Sequence, residues 1–92
     1  MLLESIANDD EEEFSLALDH GITPNKLIKD QSLLHLCAIN NSIECLLALI
    51  SRGADIDPID SNGYTPLLYA LEKRNKKMIS TLIELGADIE RR

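Results

Sequence analysis

Ninety-two residues bound the chain to one domain, near the size at which a single apolar core becomes marginal. With 45% hydrophobic but only 3% aromatic residues, that core must be built from Leu, Ile and Ala on closely packed helices, which argues against a sandwich or a barrel. The net charge of -7 is uneven, with 3 basic and 13 acidic side chains in residues 1–72 against 6 and 3 in residues 73–92, a balance that argues against general nucleic-acid binding. No apolar run approaches the roughly 18 residues of a membrane span, and no basic segment followed by an apolar stretch opens the chain, so neither a span nor a secretory leader is expected.

In chain order, Leu2, Leu3 and Ile6 mark a first short helix, Asn8, Asp9 and Asp10 a turn, and Phe14, Ala17 and Leu18 a second helix that stops at Gly21. The acidic run from Asp9 to Glu13 has neither the Gly nor the alternating oxygen ligands of a calcium loop; it suits the positive end of a helix macrodipole. Ser32 is the cap of a helix through Leu34, His35 and Cys37, and Asn40, Asn41 and Ser42 form the next turn. Cys45, Leu46, Leu49 and Ile50 then lie on one stripe of a helix closed by Gly53. Residues 56–64 carry Pro58, Asp60, Asn62 and Gly63, and the Asn62, Gly63 pair is the dipeptide of a tight hairpin loop. Thr65 and Pro66 read as N-cap and first helical residue. Arg74 is an unnatural residue for the left-handed turn expected there, so some strain is expected. Met78, Ile79, Leu82 and Ile83 mark the last helix, which ends at Gly86.

The chain repeats itself. Residues 53–57 (GADID) return as residues 86–90 (GADIE), 33 positions on, and residues 32–38 precede residues 65–71 by the same interval. The first helix pair matches at a spacing of 32, with one residue lost in the connection after Gly21. A fixed period of this size marks units that bury their apolar faces only by stacking on one another, and about three are needed for stability. Such a stack offers a binding surface in place of a catalytic cleft.

Asp60, Gly63, Thr65, Pro66, Leu67 and Ala70, followed by Gly86, Ala87 and Asp88, resemble the ankyrin repeat closely, and His35 stands at the His of its T-P-L-H-x-A signature in the middle unit. The resemblance implies an all-α repeat, an ankyrin-type solenoid of helix-turn-helix units with projecting β-hairpins, in units of about 1–26, 27–59 and 60–92. It further implies that His35 bridges backbone groups of adjacent hairpins. Leu68 stands at the equivalent position in the last unit, loses that bridge, and is free to pack against an apolar neighbour. The first hairpin, around residues 23–30, lacks an Asn-Gly turn and is one residue short, so an irregular loop is expected.

Catalytic chemistry finds no support. His35 and Cys37 point to different faces of one helix with no carboxylate placed to orient either, and phosphate loops, nucleophile elbows and spaced carboxylate pairs are missing. No cofactor or metal is expected. Cys37 and Cys45 fall at core positions, which favours free thiols and an intracellular, cytoplasmic or nuclear, setting. The function expected is a non-catalytic protein-protein interaction module, a scaffold or adaptor; the alternative is a fragment of a longer array or a unit that associates weakly with itself. By the resemblance, another protein binds the concave face made by hairpin tips and first helices. Carried over, these are Ile28, Lys29, Gln31, Ile59, Ser61, Asn62 and Tyr64 around the tips, and Ile39, Asn40, Glu72 and Lys73 at the helix ends. Tyr64 is the strongest candidate, an aromatic on a finger, with packing over the neighbouring unit as its other reading. At the end of the stack, Leu71 and Leu85 are expected to remain exposed.

Overall fold

A computed structural model describes residues 2–88. Among these residues, six helices form three pairs: α1 (Leu2–Ala7) with α2 (Glu11–Asp19), α3 (Leu33–Ile39) with α4 (Ile43–Ser51), and α5 (Pro66–Lys73) with α6 (Lys76–Glu84). Between the first two pairs stand two short strands, β1 (Leu27–Ile28) and β2 (Gln31–Ser32). The pairs stack side by side, α3 against α5 and α1, and α2 against α4, giving a body 34 Å long and 20 Å thick.

All six helices end in one motif, in which an amide bonds back to the carbonyl five residues earlier. Within the pairs these bonds are Asp10 to Ser5 (2.8 Å), Ser42 to Cys37 (2.8 Å) and Asn75 to Ala70 (3.1 Å). After the pairs they are Ile22 to Ala17 (3.3 Å), Ala54 to Leu49 (3.1 Å) and Ala87 to Leu82 (3.0 Å). The residue that reverses the chain differs between the two sets. Asp9, Asn41 and Arg74 turn at φ of 50, 56 and 57°, inside the left-handed well that an L-residue tolerates. Gly53 and Gly86 turn at 90 and 100°, outside it, and a Cβ at either would meet nothing within 4 Å. Glycine is needed there for its torsion and not for space.

Three amino ends are capped by their own N-cap side chains, whereas those of α4 and α6 are not. Asp10, Ser32 and Thr65 accept from the amides of Glu13, His35 and Leu68, each at 3.2 Å, and Pro66 opens α5. Ser42 does not cap α4, because its hydroxyl donates to the Ile6 carbonyl. Instead Asp9, from the turn of the preceding pair, accepts from Cys45 at 3.0 Å and Glu44 at 3.4 Å. One pair thus caps the second helix of the next.

The core runs through all three pairs without a break. Ile6, Phe14 and Leu18 meet Leu34, Cys37, Cys45, Leu46 and Leu49, and these continue into Leu67, Ala70, Met78 and Leu82. Each fully buried Leu contributes roughly 1.5–3 kcal/mol, and none of the pairs encloses a core alone. A second link recurs along the loops: Asn25 accepts from the Asp55 amide at 2.9 Å, and Asp57 from the Asp88 amide at 3.0 Å. Ile28 pairs with Gln31 where Asp60 bonds to Tyr64, so the residue missing from the first loop falls between Ile28 and Gln31. An exposed Asp19–Arg52 ion pair of 2.5 Å adds little. At the α5–α6 end the exposed apolar residues are Leu71, at 43%, and Ile83, at 46%, whereas Leu85 folds back onto the core. Leu85 follows the last helix and is its C-cap residue, which turns it inward.

Candidate partner-binding surface

The two loops that precede α3 and α5 form the edge of the molecule on which the candidate residues lie. In the first, Leu27 pairs with Ser32 and Ile28 with Gln31, leaving a two-residue turn of Lys29 and Asp30 at φ of 51 and 67°. Two consecutive left-handed residues make the mirror-image turn that matches strand twist. The irregular loop expected here is therefore a regular hairpin: losing a residue shortened it to the tightest length, and Asp tolerates the left-handed region.

The second loop is built differently. Asp60 donates its amide to the Tyr64 carbonyl at 3.0 Å, and Gly63 donates to the Asp60 carbonyl at 3.0 Å with φ of 78°. Asp60 Oδ1 accepts from the amides of Asn62 and Tyr64, both at 3.0 Å. Asn62 does not enter the left-handed region, so Asn62 and Gly63 are not the two-residue loop that the dipeptide suggested. The side chain of Asp60 organises a three-residue loop whose last member alone requires glycine.

Side chains lock the two loops together. His35 accepts the Ser32 amide at Nδ1, 3.1 Å away, so the proton sits on Nε2, which donates to the Tyr64 carbonyl at 2.7 Å. The bridge between hairpins implied by the resemblance is present. Beside it, Gln31 Nε2 donates to Asp60 Oδ2 at 3.1 Å and to the Tyr69 hydroxyl at 3.0 Å, and Tyr69 donates to the same carboxylate oxygen. Tyr69 meets His35 edge-on, 5.8 Å between centroids, and Tyr64 at 4.9 Å in a tilted stack. Burial alone would raise the Asp60 pKa, but hydrogen bonds from Tyr69, Tyr64, Gln31 and Asn62 outweigh it and hold the carboxyl at about 2. Burial, then the Asp60 carboxylate, push the Tyr69 hydroxyl up, which keeps it a donor.

The candidate residues divide accordingly. Lys29, Asn40, Ser61, Asn62, Glu72 and Lys73 are exposed, and so is Ile59, at 43%. Asn40 also donates to the Leu36 carbonyl at 2.9 Å, closing α3. Ile28 and Ile39 are half-buried. Gln31 is spent between the loops, and Tyr64 is half-buried on Tyr69 with its hydroxyl 3.3 Å from Glu72. Tyr64 thus lies back on the first helix of its own unit and does not project from the finger.

Two shallow grooves flank the second loop, one of about 390 Å³ between Leu27, Asp30, Ile59 and Ser61, the other of about 490 Å³ between Asn62, Tyr64, Leu68 and Glu72. Leu27, 61% exposed, is a surface residue absent from the candidates, and half-buried Leu68 lines the second groove. Leu27 was legible as an apolar residue entering a strand beside a polar turn. Leu68 lines open surface in place of the apolar packing expected of it. Tyr69 and the hub role of Asp60 carried no local signal, because their partner Gln31 lies 38 and 29 residues away. A third hollow, between α2 and α4, is walled by Glu11, Ser15, Glu44 and Arg52 and lies apart from the loops.

The family model for ankyrin repeats, in three copies, matches residues 2–92. The chain belongs to the ankyrin repeat family. An ankyrin repeat and SAM domain-containing protein 6 from Mus musculus is 30% identical over 96% of this chain, which spans 9% of that protein. A putative ankyrin repeat protein of Borreliella burgdorferi is 39% identical over 55% of the chain, and a poly(ADP-ribose) polymerase tankyrase of Caenorhabditis elegans 36% over 67%. The ankyrin chain spans 23% and 3% of these two relatives, respectively. Where a matched relative is an enzyme by name, the match covers its repeats alone.

Ankyrin repeats are in general protein-protein interaction modules, and this ankyrin chain has the helix-turn-helix stack that the family implies. Its polar groups serve that architecture. Burial pushes the Cys37 thiol far up and that of Cys45, also beside Asp9, up to about 12, so both are neutral, buried and free. Among the described residues no helix is long and apolar enough to cross a membrane, and no three His, Cys, Asp or Glu side chains are grouped to hold a metal ion.

Proposed function

We propose that the chain is a non-catalytic interaction module that takes a segment of another protein across its hairpin edge. The observation that carries this reading is a contrast within that edge. His35, Gln31, Asp60 and Tyr69 fix the two loops from beneath, while Leu27 and Ile59 stay exposed along the groove between them. Rigid loops lose little freedom on binding, so the apolar area they present is available for affinity. Lys29, Ser61 and Asn62 form the polar rim, and Asn40, Glu72 and Lys73 extend the surface along the helix ends, with the partly covered Ile28, Ile39 and Tyr64 beneath. The two buried free thiols support a reducing, intracellular setting.

The test is a paired substitution, Leu27→Ser with Ile59→Ser, at exposed positions outside the core. Partner proteins retained from the native host should fall at least about tenfold with unfolding behaviour unchanged, the effect of losing one or two apolar anchors. Equal retention by the double variant and the parent chain would exclude this edge as the binding surface.

A further inference from the structure

The α5–α6 face has the residue pattern of an internal stacking face, yet among the described residues nothing covers it. Leu68, Leu71, Ile79 and Ile83 stand 33 positions after His35, Ala38, Leu46 and Ile50. In the middle pair His35, Ala38 and Leu46 are buried to about 1% or less, with α5 packed on α3. In the last pair Leu71 and Ile83 are 43 and 46% exposed. The molecule itself therefore shows what fits such a face: another helix pair of the same kind.

We infer that a second copy of this chain supplies that pair, its α1–α2 face seated on α5–α6 so that the stack continues from copy to copy. Two observations select it. First, the α1–α2 face has its own unpaired apolar residues. Leu16, 57% exposed, stands where Ala48 stands on α4, and Ala48 faces α2 across the hollow shared with Glu11 and Ser15. Second, the charges match at a position the structure defines. Asp9, the left-handed residue within the first pair, lies against the amino end of α4, with its carboxylate on the amides of Glu44 and Cys45. Arg74 is the left-handed residue of the last pair, at φ of 57°. In the continued stack Arg74 meets the amino end of α2 in the second copy.

A bare helix amino end repels a cation, but α2 begins with Asp10 as cap and Glu11, Glu12 and Glu13 in its first turn. Lys73, Lys76 and Lys77 flank Arg74 on the other side. The acidic head and basic tail thus become complementary halves of one contact. The contact joins two different faces, so it does not close on itself, and assemblies lengthen with concentration.

Sedimentation velocity on the 92-residue chain tests this, with three samples across a concentration series. The parent chain is expected to gain mass with concentration, and to do so less at high salt. A tail variant, Leu71→Lys with Ile83→Lys, and a head variant, Leu16→Lys, change exposed positions and are each expected to remain folded monomers. Mixed, they should form a one-to-one dimer and nothing larger, because only the intact tail of one and the intact head of the other can meet. A parent chain that stays monomeric at all concentrations overturns the inference, and leaves the face to a helix pair from another protein. Variants that associate as the parent does, or a mixture that remains monomeric, overturn it equally.

Discussion

Asp60 is the residue on which the hairpin edge depends. One carboxylate receives two backbone amides at one oxygen, and the Gln31 amide and Tyr69 hydroxyl at the other. Its pKa of about 2, against an ordinary 3.8, gives the sign of the pH effect. A carboxyl depressed on folding stabilises the fold above its unfolded pKa, and that stability is lost as pH falls through 3.8 toward 2. The lost share is about 2 kcal/mol. Urea unfolding at pH 7 and pH 3 should show about half of this loss in the parent, because pH 3 still lies above the folded pKa, whereas Asp60→Asn should be weaker at pH 7 and show a smaller loss on acidification. Equal pH dependence in both would mean that the network is not what holds the carboxyl charged. At this scale the sequence was only half legible. The role of His35 followed from the family pattern, but Gln31 reaches Asp60 and Tyr69 across 29 and 38 residues, and no local spacing encodes that.

Elements were legible wherever a local rule decides them. Caps at Ser32 and Thr65, the Pro66 start and the glycine stops each follow from the backbone groups a helix end leaves open. The hairpins were not, because loop length and a side-chain acceptor outweighed dipeptide preference: two positive-φ residues at Lys29 and Asp30, and an Asp60-centred turn that spared Asn62. Capping of α4 by Asp9 was equally hidden, since it crosses between pairs. The turns also yield a prediction. Arg74 holds a left-handed torsion where Asp9 and Asn41 stand in the other pairs, at a cost of roughly 1 kcal/mol for a residue without their local hydrogen bonding. Arg74→Gly should therefore raise the midpoint of thermal unfolding of the isolated chain at low concentration. A lower midpoint would show that the arginine side chain, and not its backbone, matters most in that turn.

On the scale of the whole molecule, the repeat predicted the stack, and the stack explains why the proposed surface falls on loops rather than helices. Helices spend their apolar faces on one another, from Phe14 through Leu46 to Leu82, and the recurring bonds at Asn25 and Asp57 set the loops in register. What the stack leaves open is the pair of loops and the two end faces. On the proposed function, the choice of partner falls to the few residues that differ between units, and these follow no periodic rule. A photo-crosslinking amino acid placed at Ser61, beside the Leu27–Ile59 groove, and separately at Ser80 on exposed α6, tests the central claim most directly. A crosslinked partner protein is expected in the native host from position 61, disappearing with Leu27→Ser and Ile59→Ser, and no crosslink to that partner is expected from position 80. Crosslinks to the same partner from position 80, or from position 61 despite both substitutions, would contradict it.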